Sequence, residues 1–291
     1  MSSIKGIISL TRPYVLLTTT SFYVAATFLS VNGIPSLIPT ILGFVAVALA
    51  IASAHTLNDY FDRQTDKENP RTKTRVIPSG KVSPRLALAF GIIYGLSAVA
   101  LTFYINLPSV ILAFIAIPLP FAYNYMRKRH IPYSFLCTML AVLFIILLGS
   151  TAATGQFFAN YILLFVIFGV SWEMGRTLIS EVQDVDHDRV NNITTLSVVI
   201  SPRRATQLIF VLFTLATIMS VIIGFFGQLG ILYIVVTVLA SSWLLYKSLV
   251  LMQKPTTANA ISMRSRAPKY LLIICLILII TILINTFLFG L

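Results

Sequence analysis

Long apolar runs without charge dominate this chain. The stretches Phe135 to Ala153 and Tyr270 to Leu291 contain no charged residue, and each is about long enough to cross a bilayer. Lipid offers the backbone no water to bind, so such runs must satisfy their hydrogen bonds internally, as helices. Only 10% of the residues are charged, whereas a soluble domain carries about 25%. The runs also lack the alternation that a membrane β-barrel needs, so the sequence predicts an all-α, polytopic membrane protein.

Nine apolar segments of membrane-spanning length can be drawn along the chain. They cover residues 13–32, 37–57, 86–105, 108–126, 132–152, 158–179, 205–226, 229–250 and 269–290. We predict that they form one domain, residues 1–291, in which about nine transmembrane helices surround a central cavity. The two cysteines, Cys137 and Cys275, fall inside apolar segments, so neither a disulfide nor a zinc site is expected.

The positive charges indicate how the segments are oriented. All 21 Lys and Arg residues either precede the first segment or lie at or after the end of an even-numbered one. Positive residues stay on the cytoplasmic side, so we expect the N-terminus, the charged connections and the active site there, in a multi-pass protein of the cell membrane. The net charge of +12 then reflects topology and attraction to anionic lipids. Neither nucleic acid nor a protein partner is implied.

The acidic residues are confined to two places. One group follows the second segment and the other follows the sixth. The members of the two groups are Asp59, Asp62, Asp66 and Glu68, and Glu173, Glu181, Asp184, Asp186 and Asp188. Carboxylates that only solvated a membrane protein would be scattered over all its loops. Ionisable groups at the edge of a membrane are costly, so this confinement indicates a functional site.

The spacing of these residues predicts two oxygen-rich helix faces. In each set the residues recur at three- or four-residue intervals, which places them on one side of a helix. The sets are Asn58, Asp62 and Asp66, and Glu181, Asp184 and Asp188. Facing each other, they would repel strongly unless a hard cation such as Mg²⁺ lay between them, with substrate phosphates completing its shell. Basic residues nearby would neutralise a leaving diphosphate, although topology alone explains each of them more simply: Arg71, Lys73, Arg75, Arg127, Lys128 and Arg129.

Two motifs carry a resemblance to a known family. Residues 58–66, Asn-Asp-Tyr-Phe-Asp-Arg-Gln-Thr-Asp, are followed at 75–80 by Arg-Val-Ile-Pro-Ser-Gly. This pattern resembles the first signature of the UbiA superfamily of intramembrane prenyltransferases. Residues 184–189, Asp-Val-Asp-His-Asp-Arg, resemble its second signature, D-x-x-x-D. The resemblance covers the whole chain, since the family also has nine helices and two Asp-rich cytoplasmic loops.

The resemblance implies a mechanism and roles for particular residues. In this family, Mg²⁺ ions held by both motifs bind an isoprenyl diphosphate, its allylic C–O bond ionises, and a lipophilic acceptor captures the carbocation. The implied metal ligands are Asn58, Asp62, Asp66, Glu181, Asp184 and Asp188. Of these, the implied catalytic residues are Asp62, Asp66, Asp184 and Asp188. The implied substrate-binding residues are Arg12, Asn58, Arg71, Arg75, Tyr123, Arg127 and Lys128.

Two positions depart from the family's pattern. The family's Y-x-x-x-K is represented by Tyr123 and Arg127, and an arginine can pair with diphosphate but cannot act as a base. Glu181 stands where many relatives have aspartate. His55 lies one turn before Asn58, where it could line an acceptor pocket or pack as a polar core residue.

The identity of the acceptor is the least constrained feature. The run from Glu181 to Arg189 resembles the branch that makes archaeal ether lipids or chlorophylls more than the 4-hydroxybenzoate branch. The reaction implied first is transfer of geranylgeranyl to geranylgeranylglyceryl phosphate. An aromatic acceptor of quinone biosynthesis is the alternative, and the haem-farnesylating branch fits the second motif less well. A transporter, the alternative of another class, is disfavoured because nearly all the acidic residues lie at or beyond cytoplasmic helix ends and not at the bilayer midplane.

Overall fold

Helices form the whole secondary structure of the part of the chain that the computed structural model describes, residues 4–68, 72–190 and 193–289, and no strand occurs there. In chain order they are α1 (Ile4–Leu10), α2 (Pro13–Val31), α3 (Leu37–Phe61), α4 (Thr65–Glu68), α5 (Pro84–Thr102), α6 (Leu107–Ala116), α7 (Leu119–Lys128), α8 (Phe135–Thr154), α9 (Ile162–Val190), α10 (Leu196–Ile200), α11 (Pro202–Phe226), α12 (Gly230–Gln253), α13 (Thr257–Arg264) and α14 (Ala267–Phe289).

Within those residues, nine helical segments are long and apolar enough to cross a membrane. They coincide with the nine segments expected from the sequence, and the predicted fold class is confirmed. Most helix starts carry a local signal. For example, Ser83 caps α5 by accepting a hydrogen bond from the backbone N–H of Leu86 at 3.3 Å, and Pro84 occupies the first helical position.

The spanning helices pack as a closed ring. Each span contacts the next along the chain, and the last helix, α14, returns to the first, α2. The main apolar core lies where α2, α8 and α9 meet. There the ring of Phe22 makes edge-to-face contacts with Phe165, Phe168 and Trp172, an arrangement worth about 0.5–1.5 kcal/mol per pair beyond burial.

Close approach of α2 and α3 depends on one glycine. A Cβ atom at Gly43 would lie 2.1 Å from the hydroxyl oxygen of Tyr23. That hydroxyl donates a hydrogen bond to the carbonyl of Thr40 at 3.1 Å, so the tyrosine is fixed in place. Small residues at such crossings let membrane helices pack closely, and here the approach places the end of α3 beside the start of α2.

The structure departs from the sequence-based segments in two places. The fourth span is broken into α6 and α7 at Ile117 and Pro118, because Pro118 and Pro120 remove backbone donors and clash with the preceding turn. The sixth helix, α9, runs to Val190, so the second acidic motif lies on the helix and not in a loop. Arg176, which we expected after the sixth segment, lies within α9.

A second, smaller apolar cluster lies under the first acidic motif. It combines the end of α1, the connection before α5 and the start of α5, and its members are Leu10, Val76, Ile77, Val82 and Ala87. A Cβ atom at Gly6 would lie 2.9 Å from Val82, so α1 packs tightly on this connection. Arg12 follows Leu10 by two residues and Arg75 directly precedes Val76, so this cluster sets the positions of both arginines.

Candidate active site

The first acidic motif begins on a helix and continues beyond it. Helix α3 ends at Phe61, so Asn58 is helical, whereas Asp66 belongs to the separate short helix α4. Backbone hydrogen bonds nevertheless keep the helical spacing: the N–H of Asp62 donates to Asn58 at 2.9 Å, and the N–H of Asp66 donates to Asp62 at 2.8 Å. The expectation that one continuous helix carries all three residues was wrong, but the four-residue backbone pattern persists.

Asp59 is a site residue that the sequence reasoning missed. Its carboxylate is only 3% exposed and accepts a hydrogen bond from the guanidinium of Arg12. Arg75 lies 3.4 Å from the same oxygen and donates to Asp66 at 2.7 Å. Arg12 has a left-handed backbone with φ of 49°, which is unusual for a residue other than glycine and places local strain at a predicted substrate-binding position. Asp59 thus fixes two of the predicted substrate-binding arginines.

Asp62 connects the first motif to α7. One of its oxygens accepts hydrogen bonds from the amide of Asn58 and from the guanidinium of Arg127, both at 3.2 Å. Burial raises the pKa of the Asp62 carboxyl above its usual value, and the positive charge of Arg127 opposes that rise.

Arg127 also interacts with the second motif. Its guanidinium lies 5.8 Å from the ring centre of Tyr123, a cation–π distance. Its charge interacts electrostatically with Asp62 on one side and with Asp188 and Glu181 of α9 on the other. One arginine therefore lies between the two predicted acidic faces.

The second motif lies on the last turns of α9. Asp188 is buried and interacts electrostatically with Asp184, and the imidazole of His187 lies 3.6 Å from its carboxylate. Glu181 accepts a hydrogen bond from the backbone N–H of Ser197 at 3.0 Å. Ser197 lies in the first turn of α10, so Glu181 caps that helix in addition to facing the site.

Of the predicted substrate-binding residues, Arg12, Arg75, Tyr123 and Arg127 lie together with the acidic motifs. Arg71 and the side chain of Lys128 lie outside the described residues. A further pair, Glu173 and Arg176, also went unnoticed in the sequence, although its three-residue spacing on a helix is a visible signal.

The donor atoms around the first motif fit a hard cation. The side-chain oxygen of Asn58 is buried and has no hydrogen-bond partner, and the carboxylates nearby offer further oxygens. Among the described residues, no three Asp, Glu, His or Cys side chains come close enough to hold a metal ion between them. Mg²⁺ commonly binds through one or two carboxylates and fills its remaining positions with water and phosphate oxygens, so this set suits it.

Comparison with known proteins agrees with the family resemblance of the two motifs. The model of the UbiA prenyltransferase family matches residues 18–273. The chain belongs to this family. The prediction that it is a prenyl-transferring membrane enzyme is therefore confirmed, whereas the family alone does not name its substrates.

This UbiA family member is similar to relatives of two different activities. Digeranylgeranylglyceryl phosphate synthase of Natronomonas pharaonis is 30% identical over 265 residues, covering 89% of this chain and 92% of the relative. Protoheme IX farnesyltransferase of Synechocystis is 31% identical over 287 residues, covering 95% and 88%. We expected the second motif to favour the archaeal ether-lipid branch. Overall sequence identity does not distinguish that branch from the haem-farnesylating one.

Two solved structures share the UbiA fold. One, of digeranylgeranylglyceryl phosphate synthase in membranes, has a TM-score of 0.76 at 20% identity and covers 97% of this chain and 99% of its own. The other, a UbiA homologue of Archaeoglobus fulgidus bound to GPP and Mg²⁺, has a TM-score of 0.63 at 16% identity and covers 92% and 99%.

Proposed function

We propose that this UbiA enzyme transfers an isoprenyl group, in the presence of Mg²⁺, from an isoprenyl diphosphate to a lipophilic acceptor in the membrane. The acceptor that we favour is geranylgeranylglyceryl phosphate, and the group transferred is geranylgeranyl. The observation that carries the proposal is the position of Arg127 between the two acidic motifs, together with Arg12 and Arg75 on the first of them.

The chain's own residues divide the work. Arg12, Arg75 and Arg127 would donate hydrogen bonds to the diphosphate and stabilise its growing charge as it leaves. The carboxylate of Asp59 accepts from Arg12 and lies 3.4 Å from Arg75, so it orients two of these arginines. The carboxylates of both motifs, with the amide oxygen of Asn58, would hold Mg²⁺, which supplies charge neutralisation for the leaving group when bound. The GPP and Mg²⁺ bound to the Archaeoglobus fulgidus homologue support this assignment.

The choice of acceptor rests on the archaeal relative and on the second motif. Similarity to the Natronomonas synthase supports geranylgeranylglyceryl phosphate. Similarity of the same degree to the Synechocystis farnesyltransferase makes protoheme the second candidate acceptor, with a farnesyl donor. We also propose that residues 1–291 act as one domain, with the N-terminus and both motifs on the cytoplasmic side.

The experiment uses purified protein in detergent with radiolabelled geranylgeranyl or farnesyl diphosphate and Mg²⁺. Each donor is offered geranylgeranylglyceryl phosphate, protoheme or 4-hydroxybenzoate, and the lipid products are resolved. Transfer to the glycerol phosphate that is lost on chelation supports the proposal. Transfer only to protoheme or to the aromatic keeps the chemistry and replaces the acceptor, and no transfer from either donor refutes the proposal.

Variants connect that activity to the site. Asp62→Asn and Asp188→Asn should each lower transfer by about a hundredfold or more, because each removes a carboxylate charge that would hold Mg²⁺ against the diphosphate. Glu68→Gln is the matched control, since Glu68 is an exposed carboxylate in the same region. Full activity in both aspartate variants would contradict the assigned site.

The orientation can be tested with single introduced thiols. Cys137 and Cys275 are both buried, so they leave a low background. Ser79→Cys should react with a membrane-impermeant reagent only from the cytoplasmic face, and Gln156→Cys, at an exposed residue between α8 and α9, only from the opposite face. Reaction of both from the same side would overturn the topology.

A further inference from the structure

The polar face of α9 continues from the second motif into the membrane. Glu173 lies eleven residues before Asp184, and at 100° per residue the two share one side of the helix. A rise of 1.5 Å per residue separates them by about 16 Å along the axis. Thr177 and Ser180 lie on the same side between them. A charged residue at this depth is costly, and such residues mark functional positions by default.

Glu173 is held by a neighbouring arginine. The Nε of Arg176 donates to one carboxylate oxygen of Glu173 at 2.8 Å, and a terminal nitrogen of the same guanidinium donates to the other oxygen. The hydroxyl of Thr177 lies 3.4 Å from the second oxygen. The side chain of Glu173 is 8% exposed, whereas that of Arg176 is 32% exposed. The carboxylate is therefore enclosed, and the guanidinium keeps one accessible side.

Residues of two other helices lie within electrostatic range of Arg176. The charge of Arg176 interacts electrostatically with Tyr123 of α7 and with His55 of α3. His55 also interacts with Arg12 and Arg75, and it lies on the face of α3 that carries Asn58 and Asp62. Within the described residues the imidazole of His55 makes no hydrogen bond. Arg176 on α9 and His55 on α3 therefore lie within range of each other's charge, each on the membrane side of an acidic motif.

The pairing of Arg176 has a consequence for catalysis. An allylic carbocation forms just below the diphosphate, and a lone guanidinium at that depth would repel it. The carboxylate of Glu173, which accepts two hydrogen bonds from Arg176, neutralises the charge of that guanidinium. The outer N–H groups of Arg176 remain able to donate hydrogen bonds. A buried ion pair contributes little to stability by itself, because desolvation offsets the attraction. A binding role explains why the pair occurs here.

We propose that Arg176, oriented by Glu173, and His55 form the acceptor subsite, where they bind the oxygen-bearing polar head of the acceptor beside the reacting carbon. The proposal rests on the prenyl-transfer function proposed above and assigns the site of its second substrate. The donor diphosphate stays with Arg12, Arg75 and Arg127 and does not need this subsite.

The test separates acceptor binding from donor binding. The double variant Glu173→Gln/Arg176→Gln removes both charges and so avoids a lone buried charge. Arg176→Lys keeps the charge but loses the bidentate geometry. In both, and in His55→Phe, the KM for the acceptor should rise about tenfold or more. The Kd for a non-reactive donor analogue, a prenyl thiodiphosphate, should stay within about twofold of wild type. Arg189→Gln, an exposed arginine at the end of the same helix, is the matched control.

The outcomes are distinct. The subsite would be overturned if the variants left the acceptor KM unchanged, or if their donor and acceptor affinities fell together. In either case, transfer by the wild type would still support the proposed function. Absence of transfer in the wild type would overturn both. An independent readout is acceptor binding without turnover. It is measured as the shift in unfolding temperature that the acceptor induces in the donor-free protein. That shift should be lost in the double variant and retained in Arg189→Gln.

Discussion

Asp59→Asn should destabilise the protein by about 2 kcal/mol. Asp59 is 3% exposed and has two arginine partners. Arg75 retains its 2.7 Å contact with Asp66, so the charge-assisted contact that is lost is the one with Arg12. Such a contact is worth about 1.5–3 kcal/mol, and the asparagine oxygen can still accept a weaker hydrogen bond, which places the expected loss in the lower half of that range.

The assay is reversible unfolding of the purified protein in mixed micelles, titrated with SDS and followed by tryptophan fluorescence. Binding of the donor analogue is measured in parallel and should weaken, because Arg12 is no longer held toward the site. Glu68→Gln removes a carboxylate that is exposed, and we expect it to change stability by less than about 0.5 kcal/mol. If Asp59→Asn behaved like this control in both measurements, the role of Asp59 in orienting Arg12 would be refuted.

Three further predictions concern packing and the second motif. Gly43→Ala should lower the free energy of unfolding by about 1–3 kcal/mol in the same assay, because its Cβ would lie 2.1 Å from the Tyr23 hydroxyl. Gly33→Ala, whose Cβ would have its nearest neighbour 3.8 Å away, should lower it much less. Leu10→Ala should lower stability by about 2–3 kcal/mol and weaken donor binding, whereas Ile8→Ala, at a side chain 54% exposed against 1% for Leu10, should do neither. Glu181→Gln should raise the Mg²⁺ concentration needed for half-maximal transfer less than Asp188→Asn does, because one oxygen of Glu181 already accepts from the N–H of Ser197 at 3.0 Å. An equal or larger effect of Glu181→Gln would make Glu181 a primary Mg²⁺ ligand.

The number and order of the membrane spans could be read from the sequence. Each apolar run such as Phe135 to Ala153 is a local property, and lipid leaves it no alternative to a helix. The break in the fourth span also had a local signal, the pair Pro118 and Pro120, which was overlooked. The extension of α9 to Val190 was signalled only by the helical spacing of Glu181, Asp184 and Asp188, because charged residues beyond a membrane span are otherwise compatible with either helix or loop.

The spacing of the acidic residues predicted which of them lie close together, but it did not predict their ion-pair partners. Asp59 differs from Asp62 only in helix position, and nothing local shows that it lies against Arg12 and Arg75. Those contacts depend on the apolar cluster around Leu10 and Val76, which joins segments far apart in the chain. Pairings across such distances are decided by tertiary packing, and a single sequence holds no direct record of them.

The origin of the arginines has a consequence for the order in which the protein is assembled. Arg12, Arg75 and Arg127, the partners of the first motif, all precede α8 in the chain. During synthesis, the ribosome therefore delivers the arginines that pair with Asp59, Asp62 and Asp66 within the described residues before it reaches the second motif. The early spans can enter the bilayer with these carboxylates already neutralised, and the strongly repelling second set arrives only when α9 is inserted against a charge-balanced surface.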